Sequence, residues 1–361
     1  MEYYPKPKKL VENLNRMNDK GSPRKDFIRF DKNERTTPFN KKIIEDISNK
    51  LDGDIFSIYP DQNPFYKKLS IQLNISDKKL LLTSGSDSAI KAIFETYISS
   101  GDEVGYLWPT YAMIDVYADM FGAKKVKFEY NSNLLLDVDA IINKIKDGLR
   151  MLIIANPNQP SGTIIDDLIL DEIIQAAEEN QTIIVLDQAY IEFSKIKGRE
   201  KELDKYKFLI LTRTFSKAYG LAGLRLGYII SSEHNINYIY KVKPYADINA
   251  ISLMVTEYFL DNKSILNDYV KEINEAKMIL SDLFAELKIE FINSHTNFVH
   301  IKIDNHLGLY HEKLQNKKYL IRKTGIGLPA VISDCLRITL GPKILINGFI
   351  QDFKEIHDKI K

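Results

Sequence analysis

Residues 151–187 read MLIIANPNQPSGTIIDDLILDEIIQAAEENQTIIVLD, and the order of their apolar runs decides the fold class. MLIIA (151–155) and TIIVLD (182–187) are short, uninterrupted and aliphatic, as strands covered on both faces must be. Between them Asp166 to Asn180 carries Leu168, Ile169, Leu170, Ile173, Ile174 and Ala177 at helical spacing. Strand, crossover helix and strand make the repeating unit of a parallel sheet. The same rhythm extends outward through KLLLT (79–83), EVGYL (103–107), FLILTR (208–213) and LGYII (226–230), with Ser86 to Ser99 as another amphipathic helix carrying Ala89, Ile90, Ile93 and Tyr97. The expectation is an α/β chain with a mostly parallel sheet covered by helices.

Beyond Ile248 the pattern changes. A long helical stretch, Ser252 to Leu287, precedes FVHIKI (298–303), a second helical patch, LRITL (336–340) and a terminal helix, which predicts a smaller C-terminal α+β domain. Two domains suit the length, since 361 residues exceed the roughly 250–300 at which one core stops growing. The expected boundaries are an N-terminal arm over 1–40, a large domain over 41–250 and a small domain over 251–361.

Lys and Arg number 50 against 49 Asp and Glu, a net charge of +1, and no basic block is longer than the short Lys6 to Lys9 cluster. No stripe of cations is available to neutralise a nucleic-acid backbone. The N-terminal MEYYPKPKKL lacks an apolar signal core, no apolar run approaches the length of a membrane span, and the single Cys335 has no internal disulfide partner. These features predict a cytoplasmic protein without membrane or nucleic-acid partners. The six histidines show no metal-ligand spacing, so no metal is expected.

The chemistry concentrates in FSKAYGLAGLRLGYI (215–229), where Lys217 follows a strand and precedes small residues at Gly220, Ala222 and Gly223. Strand ends in open α/β sheets face the ligand crevice. On its own, Lys217 reads either as a solvated loop cation or as an amine placed to attack an aldehyde. Ser84-Gly85-Ser86-Asp87 lies between a strand and a helix, where it either caps the helix or holds a phosphate. Asp187 ends a buried strand and needs a partner, either a local cap or a bound cation. Tyr111 fits a core or a stacking platform equally. GLAGLRLG precedes a strand instead of linking strand to helix, which rules out a dinucleotide fingerprint.

Taken together, Thr214, Ser216, Lys217 and Arg225 resemble the lysine motif of the pyridoxal-phosphate aminotransferases of the aspartate aminotransferase fold, nearest to their histidinol-phosphate branch. SGSD (84–87), WPTYAM (108–113), NPNQPSGT (156–163), DQAYIEF (187–193) and LRITLG (336–341) follow the same family's order over roughly residues 30 to 345. The resemblance implies fold type I, with a seven-stranded-type sheet in the large domain, and pyridoxal 5'-phosphate as cofactor. It implies Lys217 as the Schiff-base lysine and proton carrier, and Ser86, Asp87, Thr214, Ser216 and Arg225 around the cofactor phosphate. Asp187 then pairs with the pyridine nitrogen, Tyr190 and Gln159 reach the 3-oxygen, and Tyr111 stacks on the ring. Arg337 matches the family's carboxylate-binding arginine, Arg322 falls where the branch binds a substrate phosphate, and Tyr59 in IYPDQ matches a tyrosine that crosses a homodimer interface to the neighbour's cofactor. Asn33 and Arg35, in FDKNERTTPF (30–39), fall on the substrate entrance.

Two positions depart from the pattern: Gln159 replaces an asparagine, and Gln188 replaces the glutamate of a DEAY segment, removing a carboxylate expected near the ring. The implied function is an aminotransferase using a glutamate-like donor and a small phosphorylated amine or keto substrate. An amino-acid phosphate decarboxylase on the same cofactor and a non-catalytic binding relative remain open alternatives at this point.

Overall fold

Met151–Ala155 and Ile183–Asp187 are adjacent parallel strands, paired from Met151 with Ile183 to Ala155 with Asp187. The structure is a computed structural model that describes residues 4–12, 14, 24–303, 305–325 and 327–360. Residues 1–3, 13 and 15–23 of the expected arm lie outside the described residues. Across its width the seven-stranded sheet runs Leu80–Thr83, Gly227–Ser231, Leu209–Thr214, Ile183–Asp187, Met151–Ala155, Glu103–Trp108, Lys124–Glu129. Only Gly227–Ser231 runs antiparallel to its neighbours.

The aliphatic runs are continuous because both faces are covered. Leu152, Ile154, Ile184, Leu186, Leu209 and Leu211 enter one core, while Met151, Ile153, Ile183, Val185 and Ile210 enter the other. Lys124–Glu129 escapes the apolar reading because KKVKFE is an edge strand with mostly exposed residues, and its lysines guard an open ladder. The crossover helix Asp167–Glu179 is capped by Asp166, whose carboxylate accepts from the Leu168 N–H at 2.9 Å. It buries Leu170, Ile173 and Ile174, but Leu168 and Ile169, expected on the same face, are exposed. Leu168 lies about 160° around the helix from Leu170, so it cannot share that face.

The second unit is a five-stranded sheet in the order Ile28–Phe30, Tyr319–Lys323, Cys335–Thr339, Phe298–Lys302, Phe291–Ile292. Its first strand comes from the segment expected as an arm and pairs parallel with Tyr319 to Ile321. The long helical stretch is two helices, Ala250–Asp261 and Lys263–Glu286. They part at Asn262, whose side-chain amide donates to the Tyr258 carbonyl at 2.7 Å and so competes with the helix ladder. Phe284, Val299, Ile301, Leu336, Ile338, Phe349 and Phe353 fill the core on one side of this sheet. Alternation places Phe298, His300, Arg337 and Thr339 on the other side, where the Phe298 ring meets Tyr190 of the large unit edge-on at 5.9 Å.

The two units touch closely at Gly162. Its φ is +75°, its carbonyl accepts from the His295 N–H at 2.8 Å, and a Cβ there would lie 2.2 Å from the Ser294 Cβ. Gly162→Ala is therefore expected to cost about 2 kcal/mol or more, through backbone strain and collision together. The double variant Gly162→Ala/Ser294→Gly should recover part of that loss by removing the collision alone. Calorimetric melting of the two proteins checks this, and a single variant as stable as the parent would contradict it.

Candidate active site

A cleft of about 470 Å³ lies against the C-terminal ends of the parallel strands, and Ser86, Asp87, Tyr111, Gln159, Asp187, Tyr190, Thr214, Ser216, Lys217 and Arg225 all line it. Its position follows from topology, because Ala155, Asp187 and Thr214 are the last residues of three neighbouring strands.

One end is a cup of hydrogen-bond donors. The helix Ser86–Tyr97 begins there with unpaired main-chain N–H groups in its first turn. Gly85, at φ +84°, precedes it, and a Cβ on Gly85 would come within 2.9 Å of Arg225 Nη2. Glycine thus lets the guanidinium close on the helix start. Gly227 is equally constrained, since a Cβ would stand 2.7 Å from the Gly85 carbonyl carbon and 2.8 Å from Ser86 N. Arg225 Nη1 lies 3.4 Å from Ser216 Oγ, and Thr214 Oγ1 donates to Ser216 Oγ at 3.0 Å. Helix N–H groups, two hydroxyls and a guanidinium form a set of donors suited to a phosphate. The Asp87 carboxylate is turned away from this role: it accepts from the hydroxyls of Tyr111 at 3.2 Å and Tyr117 at 3.0 Å, leaving its main-chain N–H for an anion.

At the other end Asp187 is buried, and burial pushes its carboxyl up to about 6 against the pull of the Thr212 hydroxyl, the Ala189 N–H and the Lys217 charge. Thr212 Oγ1 donates to Asp187 at 2.9 Å. Between the two ends, Tyr190 OH donates to Gln159 Oε1 at 3.1 Å and accepts from Asn33 Nδ2 at 3.0 Å. Asn33 Oδ1 accepts from Thr339 Oγ1 at 3.1 Å, so this chain of bonds joins the cleft to the second sheet. The Lys217 amine donates to the Lys32 carbonyl at 3.4 Å and sits 5.5 Å from the centre of the Tyr190 ring. A donor cup, an amine and a buried acid awaiting a cation, all in one cleft, fit a phosphorylated pyridine aldehyde.

The arginines divide. Arg337 is buried, donates from Nη2 to the Asp31 carbonyl at 2.7 Å and lies 5.2 Å over the Phe298 ring. Burial and the nearby Arg322 push its guanidinium down to about 10, and among the described residues its Nε has no hydrogen-bond partner. Arg322 is exposed and sits directly across from Arg337 in the strand pairing. Arg35 does not line the cleft. Its guanidinium is sandwiched 4.6 Å from both the Phe39 and Tyr269 rings, and its stem packs on Gly220. Tyr59 is 82% exposed and lines a separate groove with Tyr240 and Tyr245, so within one copy it is not part of the cleft. Gln188 corrects the expectation of a missing ring-side carboxylate: its Oε1 accepts from Arg213 Nε at 2.9 Å, and it does not line the cleft. Adjacent residues on a strand end point oppositely, so with Asp187 facing in, Gln188 faces out.

Sequence reasoning passed over Thr212, Tyr117 and Thr339, which orient Asp187, Asp87 and Asn33. It also passed over Lys32 and Glu34, which line the cleft. Thr212 was discoverable in principle as the register partner of Asp187. The others required the tertiary fold.

Residues 25–347 match the family described as Aminotransferase class I and II. Histidinol-phosphate aminotransferase 1 of Carboxydothermus hydrogenoformans is 31% identical over 317 residues, covering 87% of this chain and 88% of that protein. Among solved structures, histidinol-phosphate aminotransferase from Sinorhizobium meliloti in complex with pyridoxal-5'-phosphate superposes with a TM-score of 0.86 at 20% identity, covering 99% of each chain. L-threonine-O-3-phosphate decarboxylase from Porphyromonas gingivalis has a TM-score of 0.75 at 18% identity, covering 92% of this chain and 99% of its own. Among the described residues no helix is long and apolar enough to cross a membrane.

Asp187 gives the cofactor-free protein a pH signature. Its carboxyl titrates near 6 in the fold against about 3.9 in an unfolded chain, so the native state holds this proton more tightly. The resulting stabilisation is complete below about pH 4 and disappears as pH rises through 6, a difference of up to about 3 kcal/mol. Glu192, pushed up to about 7 by burial, adds a slope of the same sign in any Asp187 variant. Urea unfolding at pH 4.5 and 7 should show a smaller stability loss for Asp187→Asn than for the parent, and parallel losses would contradict the assignment.

Proposed function

This chain belongs to the class I and II aminotransferases, and we propose that it transfers an amino group between a glutamate-like donor and a small phosphorylated amine or keto compound, as a cytoplasmic homodimer of the histidinol-phosphate aminotransferase type. The observation that carries the reading is the convergence of Lys217, Asp187 and the Arg225 donor cup on one cleft. Its cofactor is pyridoxal 5'-phosphate, which when bound supplies an electron-poor ring that absorbs the electron pair left as a proton leaves the substrate carbon.

The chain's own residues divide the remaining work. Arg225, Ser216, Thr214 and the N–H groups of Ser86 and Asp87 hold the phosphate. Asp187, already buried and lacking a cation, keeps the ring nitrogen protonated. Tyr190, held by the bond it accepts from Asn33, would turn its O–H from Gln159 to the ring oxygen, and Tyr111 would pack on the ring face. The Lys217 amine anchors the cofactor and then takes and returns the substrate proton at Nζ. Arg337 binds the donor carboxylate, a role supported by its burial and its unpaired Nε. Arg322, exposed beside it, takes the phosphate of the second substrate.

The dimer reading is supported by the exposure of Phe56, Ile58, Tyr59 and Tyr245, an apolar surface that a second copy would cover while Tyr59 reaches the neighbour's phosphate. The decarboxylase alternative has only likeness of fold in its favour. Retention of Lys217, Asp187, Tyr190 and Arg225 speaks against a non-catalytic relative.

Incubation of the yellow protein with L-glutamate should convert the cofactor spectrum to the amine form, whereas an unchanged spectrum would shift the reading to decarboxylation. Lys217→Ala should abolish both turnover and the borohydride-trapped adduct. Arg322→Ala should raise KM for the phosphorylated compound and leave the glutamate half-reaction nearly intact. Equal loss in both half-reactions would remove Arg322 from substrate binding.

A further inference from the structure

Below the seam at Gly162 lies a groove of about 720 Å³ that the reaction does not use, lined by Asp166, Ser194, Lys195, Asn274, Lys277 and His295 among others. Lys277, on the helix Lys263–Glu286, is only 8% exposed. Among the described residues its amine has no hydrogen-bond or ion-pair partner. Burial alone acts on it and pushes it down to about 8, so at neutral pH it still carries its charge most of the time. Lys277 lines the groove, so its partnerless and largely desolvated ammonium faces space that an anion can enter.

The carboxylates around the groove are largely committed. Asp166 caps its helix, and Asp167 accepts from Arg199 Nη2 and the Lys197 N–H. Glu192 is held up to about 7 by burial and feels Arg213, so it brings only part of a negative charge. His295 is pushed down by burial and by Lys277, which leaves it a neutral ring able to donate. Asn274 and Asn293 add exposed amides. The groove therefore offers donors around the partly desolvated ammonium of Lys277, with Lys195 as a second, exposed cation.

We propose that this groove binds a small oxyanion, the carboxylate or phosphate group of a metabolite, with Lys277 as its ion partner, and that occupancy tightens the seam between the two units. The walls come from both units: Asp166, Ser194 and Lys195 follow strands of the large sheet, while Asn274, Lys277, Asn293 and His295 belong to the second. His295 is also the residue whose N–H bonds the Gly162 carbonyl. Gly162 lies in the same loop as Gln159, which bonds Tyr190 in the cleft. An anion on Lys277 and His295 would thus bear on the loop that positions Tyr190. The inference rests on the groove alone and does not depend on which reaction the cleft performs.

The test is thermal melting of the cofactor-loaded full-length protein with inorganic phosphate and, separately, succinate. The loaded cofactor keeps the probes out of the phosphate cup, and any succinate bound at Arg337 persists in a Lys277 variant. At ten times the dissociation constant the parent should gain about 2 °C. Lys277→Met should lose the share of the gain that the groove contributes, leaving only what Arg337 and Arg322 supply, and Lys277→Arg should retain the full gain. Response to only one probe identifies the oxyanion class. An equal gain in Lys277→Met, or no gain with either probe, overturns the proposal. Should Lys277→Met not fold, mass mapping of Lys277 labelling by trinitrobenzenesulfonate decides on the parent: slower labelling with the anion supports the site, and an unchanged rate refutes it.

Discussion

A carboxyl group driven into a dry strand end, Asp187, is the constraint from which the rest of the site takes its arrangement. Burial alone would keep it protonated near neutrality. The Thr212 hydroxyl and the charge on Lys217 pull toward the ionised form. Among the described residues no cation stands at hydrogen-bond distance from it, and the protonated nitrogen of a bound pyridine would be such a group. The donor cup, the Lys217 amine and Tyr190 line the same cleft. The sheet allows this because neighbouring parallel strands deliver their last residues to one edge.

The same logic extends to the second unit. Arg337 is buried, among the described residues its Nε has no hydrogen-bond partner, and burial pushes its guanidinium down. Tyr190 ties the cleft to the second sheet, by ring contact with Phe298, over which Arg337 lies, and by the bond it accepts from Asn33, which Thr339 holds. The close contact at Gly162 constrains how the two units are seated.

What the sequence made legible was what short-range chemistry dictates. Aliphatic runs such as MLIIA and TIIVLD had to be strands covered on both faces, whereas of the small residues after Lys217 that read as room for a ligand, Gly220 is packed by the Arg35 stem and Gly223 faces open space. The edge strand Lys124–Glu129 stayed hidden because an edge needs charge rather than an apolar run. Arg35 looked like a substrate cation because a sequence shows charge but not the aromatic rings that sandwich it. Tyr59 stands outside the cleft of the single chain, exposed and lining a separate groove. Thr212, Tyr117 and Thr339 act on residues remote in the chain, or act through register, and no local pattern announces them.

Gln188 shows how a departure from a family pattern is absorbed. A carboxylate at this position would face Arg213, because the strand turns the position away from the cleft. With glutamine there, Arg213 Nε still donates to the side-chain oxygen at 2.9 Å, but the neutral amide cannot balance the buried guanidinium. Glu200 provides the missing charge, accepting from Arg213 Nη2 at 2.7 Å, while the Gly198 carbonyl accepts from the same nitrogen at 2.9 Å. The compensation requires Gly198, since a Cβ there would stand 2.6 Å from Arg213 Nη2 and 2.2 Å from the Glu200 carboxylate. The negative charge beside Arg213 therefore comes from the loop that follows the strand end. The substitution therefore alters the support of the lysine segment and leaves the face presented to the cofactor as it was. It gives no reason to move the chain away from transamination.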